Sequence, residues 1–242
     1  MNKPKVAVVS LFRDSNIWHG HEIRQVDRYI KQMKEQTYGF DNLNLYLVEG
    51  NSTDGTFETL RDYSLLYKNI QVEIFNNPYH AVESTTDPDR LRFLSMVGNH
   101  ALSMVQGEDY ILFIESDLII KKDLIEILVK NLEENPEIGI IAPYTFYESV
   151  DGFYDKWAFR FEGRAFHPYY KEYKELGTIF PHMESIGSCG LMRRNAFKGV
   201  NFGQGCFPEL CHRIKRKGYK VACNTELAVY HPSTMYVAKR LI

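Results

Sequence analysis

LYLVEGNSTDGTFETL, residues Leu45–Leu60, holds an apolar run, a polar turn and the start of a helix. The run Asn44–Val48 has the continuous apolar texture of a strand buried on both faces. Gly, Asn, Ser and Thr in GNSTDGT make a turn, and the helix is expected over Thr56–Tyr67. Glu49 and Asp54 flank that turn, and a turn needs no acid. Asp54 has two readings, a helix cap or a ligand for a base or ribose. Glu49 is not a capping residue, which leaves it the nucleoside reading.

The same strand–helix rhythm extends on either side. Lys5–Phe12 reads as a buried strand, Ile17–Gln36 as a helix, Gln71–Phe75 as a strand and Arg90–Val105 as a helix. Asp109–Ile114, Lys122–Asn135 and Ile138–Ala142 continue as strand, helix and strand. Such alternation over Met1–Pro143 predicts an α/β fold, a mainly parallel sheet with helices on both faces. Ligands of such sheets bind at the carboxyl ends of the strands. The polar clusters Phe12–Asn16, Glu49–Asp54 and Glu115–Asp117 all fall at such ends.

ILFIESDLII, Ile111–Ile120, is the sharpest of these. In an extended chain Glu115 and Asp117 point the same way, with Ser116 between them. Two carboxylates aimed at one spot repel unless a cation sits between them, and a hard ion such as Mg²⁺ or Mn²⁺ bridging to phosphate oxygens suits the pair.

After Pro143 the rhythm fades. Tyr144–His182 is crowded with aromatics, from Phe146 through Trp157 to Phe166, Tyr169, Tyr170 and Tyr173, and reads as a hairpin lobe or a folded flap. Aromatic faces pack on sugar C–H faces, so Asp155, Trp157 and Arg160 in YDKWAFR are candidate substrate contacts. A short strand at Gly187–Met192, a helix at Pro208–Lys217 and one or two closing strands over Val221–Tyr230 complete the chain. No repeat or linker divides it. One domain over residues 1–242 is expected, with a nucleotide-sugar half (1–143) and an acceptor half (144–242).

Bulk properties exclude several classes. The 242 residues carry 44% hydrophobic and 25% charged residues and a formal charge of −2, which gives no footprint for nucleic acid or anionic membrane. RIKRKGYK, Arg213–Lys220, is the one dense basic run. No segment has transmembrane length or a signal-peptide pattern, so a soluble, cytoplasmic protein is expected. Cys189, Cys206, Cys211 and Cys223 form no C-x-x-C pair; without a signal-peptide pattern reduced thiols are expected, and a zinc site from Cys206, Cys211, His212 and Cys223 matches no standard spacing.

These motifs in this order (ExxSTDGT, an acid–x–Asp after the fourth strand, GSCGLMRRNAF at Gly187–Phe197, then a helix, glycine and strand–His) resemble GT-A glycosyltransferases. RLRFLSMVGNHAL (Arg90–Leu102), YILFIESDLII and FYDKWAFRFEGRAF (Phe153–Phe166) look like the fungal capsule-associated α-1,3-mannosyltransferase family. The resemblance implies transfer of a hexose from a GDP- or UDP-linked sugar, with Mn²⁺ or Mg²⁺. It implies that Glu49 and Asp54 hold the nucleoside, that Arg90 and Asn99 lie near the donor, and that Gly187–Gly190 line the sugar pocket. Asp117 is implied as metal ligand, with Glu115 in the variable first position of the D-x-D element and His231 as third ligand. Glycosyltransferases of this fold often carry Glu-Asp near the start of the helix at Pro208–Lys217; here Phe207–Pro208 stands there, and Glu209 is the nearest acid and the candidate base. A glycan, a protein or a hydroxylated DNA base are open acceptors. A donor-binding protein without turnover is the rival reading. A nucleotidyltransferase is disfavoured, because LFRDSNIWHG (Leu11–Gly20) lacks a Gly-rich basic phosphate loop.

Overall fold

The computed structural model describes residues 3–18, 22–76, 87–148, 152–165 and 177–232. Phe166, Tyr169, Tyr170 and Tyr173 of the aromatic stretch lie outside the described residues. An eight-stranded sheet runs through the molecule in the order β3-β2-β1-β4-β9-β5-β10-β8. Its strands are β1 (Val6–Phe12), β2 (Leu43–Glu49), β3 (Ile70–Ile74), β4 (Tyr110–Ile114), β5 (Ile138–Tyr147), β8 (Ile179–Phe180), β9 (Cys189–Arg193) and β10 (Lys220–His231). The small hairpin β6 (Arg160–Phe161) and β7 (Arg164–Ala165) stands apart.

The first half follows the expected pattern. β3, β2, β1 and β4 pair in parallel, joined by α1 (Gln25–Lys34), α2 (Thr56–Leu66) and α3 (Pro88–Ser103). The apolar runs of β1, β2 and β4 are buried on both faces, whereas edge strand β3 buries only Ile70, and two hydrophobic clusters fill the space on either side of the sheet. The helix expected from Ile17 begins only at Gln25, because Ser15 O and Ile17 O take the amides of Val26 and Gln25 in a loop closure. Helix α3 starts with Asp87, whose carboxylate accepts from Asp89 N at 2.8 Å and Arg90 N at 3.2 Å, and Pro88 occupies the first turn.

β9 breaks the parallel order. It enters antiparallel between β4 and β5, and so brings Ser188 beside the end of β4. β5 is longer than the predicted Ile138–Ala142 and runs through Pro143 to Tyr147. Proline is tolerated because the β5–β10 ladder shifts register between Asn224 and Ala228, opposite Pro143 and Tyr144. The remaining helices are α4 (Leu124–Glu134), α5 (Arg194–Phe197) and α6 (Cys206–Arg216). Among the described residues no helix is long and apolar enough to cross a membrane. All four cysteines are buried and free, and burial pushes the Cys206, Cys211 and Cys223 thiols up to about 12.

Candidate active site

β4 ends in the middle of the sheet, and the chain turns there. Glu115 N donates to Ser188 O at 2.8 Å, and residues 116 and 117 form a turn rather than extended strand. Glu115 and Asp117 therefore converge through the turn and not through strand alternation. The segment then pairs with the end of β10: Ile119 N donates to Tyr230 O (2.7 Å) and Tyr230 N to Ile119 O (2.9 Å). That bridge delivers His231, whose Nε2 lies 2.9 Å from Asp117 Oδ2.

Potential ligand atoms of Glu115, Asp117 and His231 all lie within 4.8 Å of one another; no other such cluster occurs among the described residues. Three features suit a divalent cation. Asp117 Oδ1 is buried with no hydrogen-bond partner. His231 Nδ1 lies 2.7 Å from Pro232 O, an acceptor, so a neutral ring carries its hydrogen there and leaves the Nε2 lone pair facing the carboxylates. The Glu115 carboxyl is pushed well above the ordinary range, first by burial and then by the charges of Asp117 and Asp155, as expected of acids crowded without a counter-ion. Burial pulls the His231 imidazole down, but its hydrogen bond and attraction to Asp117 outweigh that, and it ends above its ordinary value.

Glu115 and Asp117 border a cleft of about 790 Å³, in the range of small-molecule sites. Arg90, Glu115, Ser116, Asp117, Asp155 and Trp157 line it. The Arg90 charge opposes the upward shift of Glu115. Asp155 is 9% exposed; its Oδ2 accepts from Ser188 Oγ at 2.7 Å, and Ser188 Oγ lies 3.0 Å from Thr145 Oγ1. Burial raises the Asp155 carboxyl to about 6, against the opposing bonds from Ser188 and Ala158. Tyr154 stacks on His231 with ring centroids 3.8 Å apart, tying the aromatic segment to the acidic cluster.

The other expected residues have different surroundings. Glu49 is buried, and its Oε1 accepts from Ser52 N at 2.6 Å. Asp54 does not cap α2, whose N-cap is Gly55; its carboxylate accepts from Thr56 N, Thr56 Oγ1 and Asn16 N. Both acids brace the turn whose Gly50 borders the cleft. Asn99 Oδ1 accepts from Phe202 N. Gly187 permits a close approach: a Cβ there would lie 2.4 Å from Asp155 Oδ2. Gly190 packs against Ile186, and a Cβ there would lie 2.6 Å from Ile186 Cδ1. Arg160 closes the β6–β7 hairpin through Gly163 O.

Glu209 stands outside the cleft lining. Its carboxylate accepts from Gln204 N (2.8 Å), Gly205 N (3.0 Å) and Arg213, and those bonds, the Gly205 amide foremost, hold it below its usual range. Phe207 does line the cleft, in a three-ring cluster with Phe113 and Phe202 at centroid distances of 5.1–5.2 Å. Sequence reasoning missed Tyr154 and Ser188. Ser188 sits inside the quoted GSCG and Tyr154 inside the aromatic run, so a motif signal existed for both.

Residues 94–200 match the Glycosyl transferase family 2 model, less than half of the chain. A glycosyltransferase of Streptococcus pneumoniae serotype 4, GlyG, is 27% identical over 123 residues, covering 51% of this chain and 36% of the relative. A Pyrobaculum calidifontis mannosyltransferase, solved with GDP-Man and Mn²⁺, superposes with a TM-score of 0.64 at 14% identity, covering 99% of this chain and 61% of that one. GalNAc-T7 with UDP, GalNAc and Mn²⁺ gives 0.65 at 14% identity, covering 97% and 46%. S. aureus TarS with UDP-GlcNAc gives 0.59 at 12% identity, covering 93% and 58%. The chain thus spans less than two thirds of each of these proteins. The fold is GT-A: a mainly parallel central sheet flanked by helices.

Proposed function

We propose that this chain is a metal-dependent glycosyltransferase that moves a hexose from a nucleoside diphosphate sugar to a hydroxyl acceptor. The observation that carries the reading is the Glu115–Asp117–His231 cluster, with an unpartnered Asp117 oxygen, beside a cleft at the carboxyl ends of parallel strands. A bound divalent ion would supply charge neutralisation for the departing diphosphate. Two carboxylates and an imidazole favour Mn²⁺ over Mg²⁺, which prefers all-oxygen shells. The Mn²⁺ complexes among the structural neighbours support the same choice.

The chain's own residues divide the remaining work. Arg90 offers a fixed positive charge to the diphosphate. Glu49 and Asp54 hold the turn that shapes the nucleoside end. Asp155, fixed by Ser188, receives the acceptor hydroxyl, and Trp157 offers its ring to a sugar face. Gly187 keeps the backbone out of the space Asp155 needs. We assign Glu209 to bracing the 203–209 turn, since its carboxylate is engaged by two amides and Arg213. A site with Phe207 in place of an acid fits a retaining reaction, which needs no base there. The likeness of YDKWAFR to the fungal capsule mannosyltransferases favours mannose, and one continuous sheet through both halves supports a single catalytic domain. A glycan or protein acceptor fits better than DNA, because Arg213 of the basic run is spent on Glu209 and Asn201. Four buried free thiols fit a reducing, cytoplasmic setting.

One observation favours the rival, a donor binder without turnover: the same Phe207 removes the expected acid. Calorimetric titration with GDP- and UDP-linked hexoses, with and without Mn²⁺, followed by transfer assays on glycan and peptide acceptors, separates the two. Metal-dependent binding of one donor followed by transfer supports the enzyme. Binding without transfer supports the rival.

A further inference from the structure

Helix α1 carries a buried stripe that its amphipathic role does not require. Val26, Tyr29, Ile30 and Met33 form its apolar face. Gln25, Arg28 and Gln32, spaced three and four residues apart, form a second face, and Gln36, two residues past the end of the helix, continues the line. Gln25, Arg28 and Gln36 are 5%, 7% and 4% exposed. Burying such side chains is costly unless their polar atoms are bonded.

Each of the four has a partner in the segment that follows β4, although Gln25 Nε2 also donates to Ser15 Oγ (3.2 Å) and Gln36 Nε2 to Gln32 O (3.3 Å). Gln25 Nε2 donates to Ser116 Oγ at 3.2 Å, and Arg28 Nη2 to Asp117 O at 3.0 Å. Gln32 Nε2 donates to Leu118 O (3.0 Å) while its Oε1 accepts from Ile120 N (2.9 Å). Gln36 repeats the bidentate pattern with Lys121 O (2.9 Å) and Ile125 N (3.2 Å). The segment from 116 to 125 has almost no regular structure of its own, so α1 supplies partners its backbone would otherwise lack. Arg28 is the member nearest the acids, attracted by the charges of Asp117 and Glu148, and its Nη1 is buried without a hydrogen-bond partner. Glu148 N in turn donates to His231 O at 2.9 Å.

We propose that Arg28 is a positioning residue for the metal site, holding the Asp117 carbonyl so that the carboxylate meets His231 and Glu115, with Gln32 as its support. This rests on the metal-site reading given above. A residue behind a ligand typically changes metal affinity 10–100-fold when lost.

The test is Mn²⁺ affinity of the full chain, measured by electron paramagnetic resonance of free Mn²⁺, alongside thermal melting. Wild type is compared with Asp117→Asn, Arg28→Met, Arg28→Lys, Gln32→Leu and Gln36→Leu. Arg28→Met is expected to weaken Mn²⁺ by about 10–100-fold, with Arg28→Lys recovering part of the loss. Gln32→Leu should weaken it less, and Gln36→Leu should lower the melting temperature and spare affinity. Wild-type affinity in Arg28→Met, or equal losses in Arg28→Met and Gln36→Leu, overturns the positioning role while the metal site stands. If Arg28→Met does not fold, the ordering of Arg28→Lys, Gln32→Leu and Gln36→Leu decides by the same rule. Equal Mn²⁺ binding by wild type and Asp117→Asn overturns the metal reading and this proposal with it.

Discussion

His231 Nε2 and Asp117 Oδ2 lie 2.9 Å apart, though 114 positions separate them in the chain, and the other Asp117 oxygen is buried without a partner. An ion pair explains one oxygen and leaves the other at a cost. A cation held by Glu115, Asp117 and His231 would satisfy both. Asp117→Asn is expected to lower Mn²⁺ affinity by more than about 100-fold, beyond the effect of outer residues, and His231→Gln by about 10–100-fold. Isothermal titration with Mn²⁺ checks both, and unchanged affinity in either removes that residue from the ligand set.

Asp155 should cost stability where it is ionised. Its pKa in the folded protein is about 6, raised from 3.8 mainly by burial. The folded state therefore binds the proton more tightly, and the penalty grows as pH rises from about 4 to about 6 and is full above that. Two pKa units correspond to about 3 kcal/mol. Asp155→Asn, which keeps an acceptor for Ser188, is expected to melt higher than wild type at pH 7.5 and to lose that advantage near pH 4, while transfer collapses. A melting advantage independent of pH would contradict this account.

Gly187→Ala tests the support of the same carboxylate. Its Cβ would lie 2.4 Å from Asp155 Oδ2 and 2.5 Å from Ala158 Cβ, so the segment carrying Asp155 and Trp157 must move. A loss of about 1–3 kcal/mol is expected from chemical denaturation, with transfer falling more than donor binding. Wild-type transfer in this variant would place Asp155 outside the acceptor site.

Glu209→Gln should behave as the loss of a turn brace. Stability is expected to fall by about 0.5–2 kcal/mol, in the range of a lost helix cap, with turnover within a few-fold of wild type. Loss of turnover at unchanged stability would restore Glu209 as the base.

Much of this was legible in the residues. Continuous apolar runs such as VAVVSLF and YILFI mark strands buried on both faces, and their polar exits mark the site. The grouping of Glu115, Asp117 and His231 was implied by the resemblance to GT-A enzymes, although the turn that brings the two acids together was not, because E-S-D reads equally as extended chain. β9 could not be placed by pattern: its antiparallel insertion between β4 and β5 depends on which neighbour an all-apolar strand chooses. Asp87 was missed as a cap although Asp-Pro precedes an apolar-periodic run, the ordinary signature. Arg28 was invisible because a charged residue in an amphipathic helix reads as solvated, and only the fold shows that its face is covered.

The most direct test of the central claim is nucleotide release from a donor sugar, followed across a Mn²⁺ titration for wild type and Asp117→Asn. Release is expected to rise with Mn²⁺ in wild type and to stay at background in the variant. Release independent of Mn²⁺ and equal in both proteins would contradict that claim.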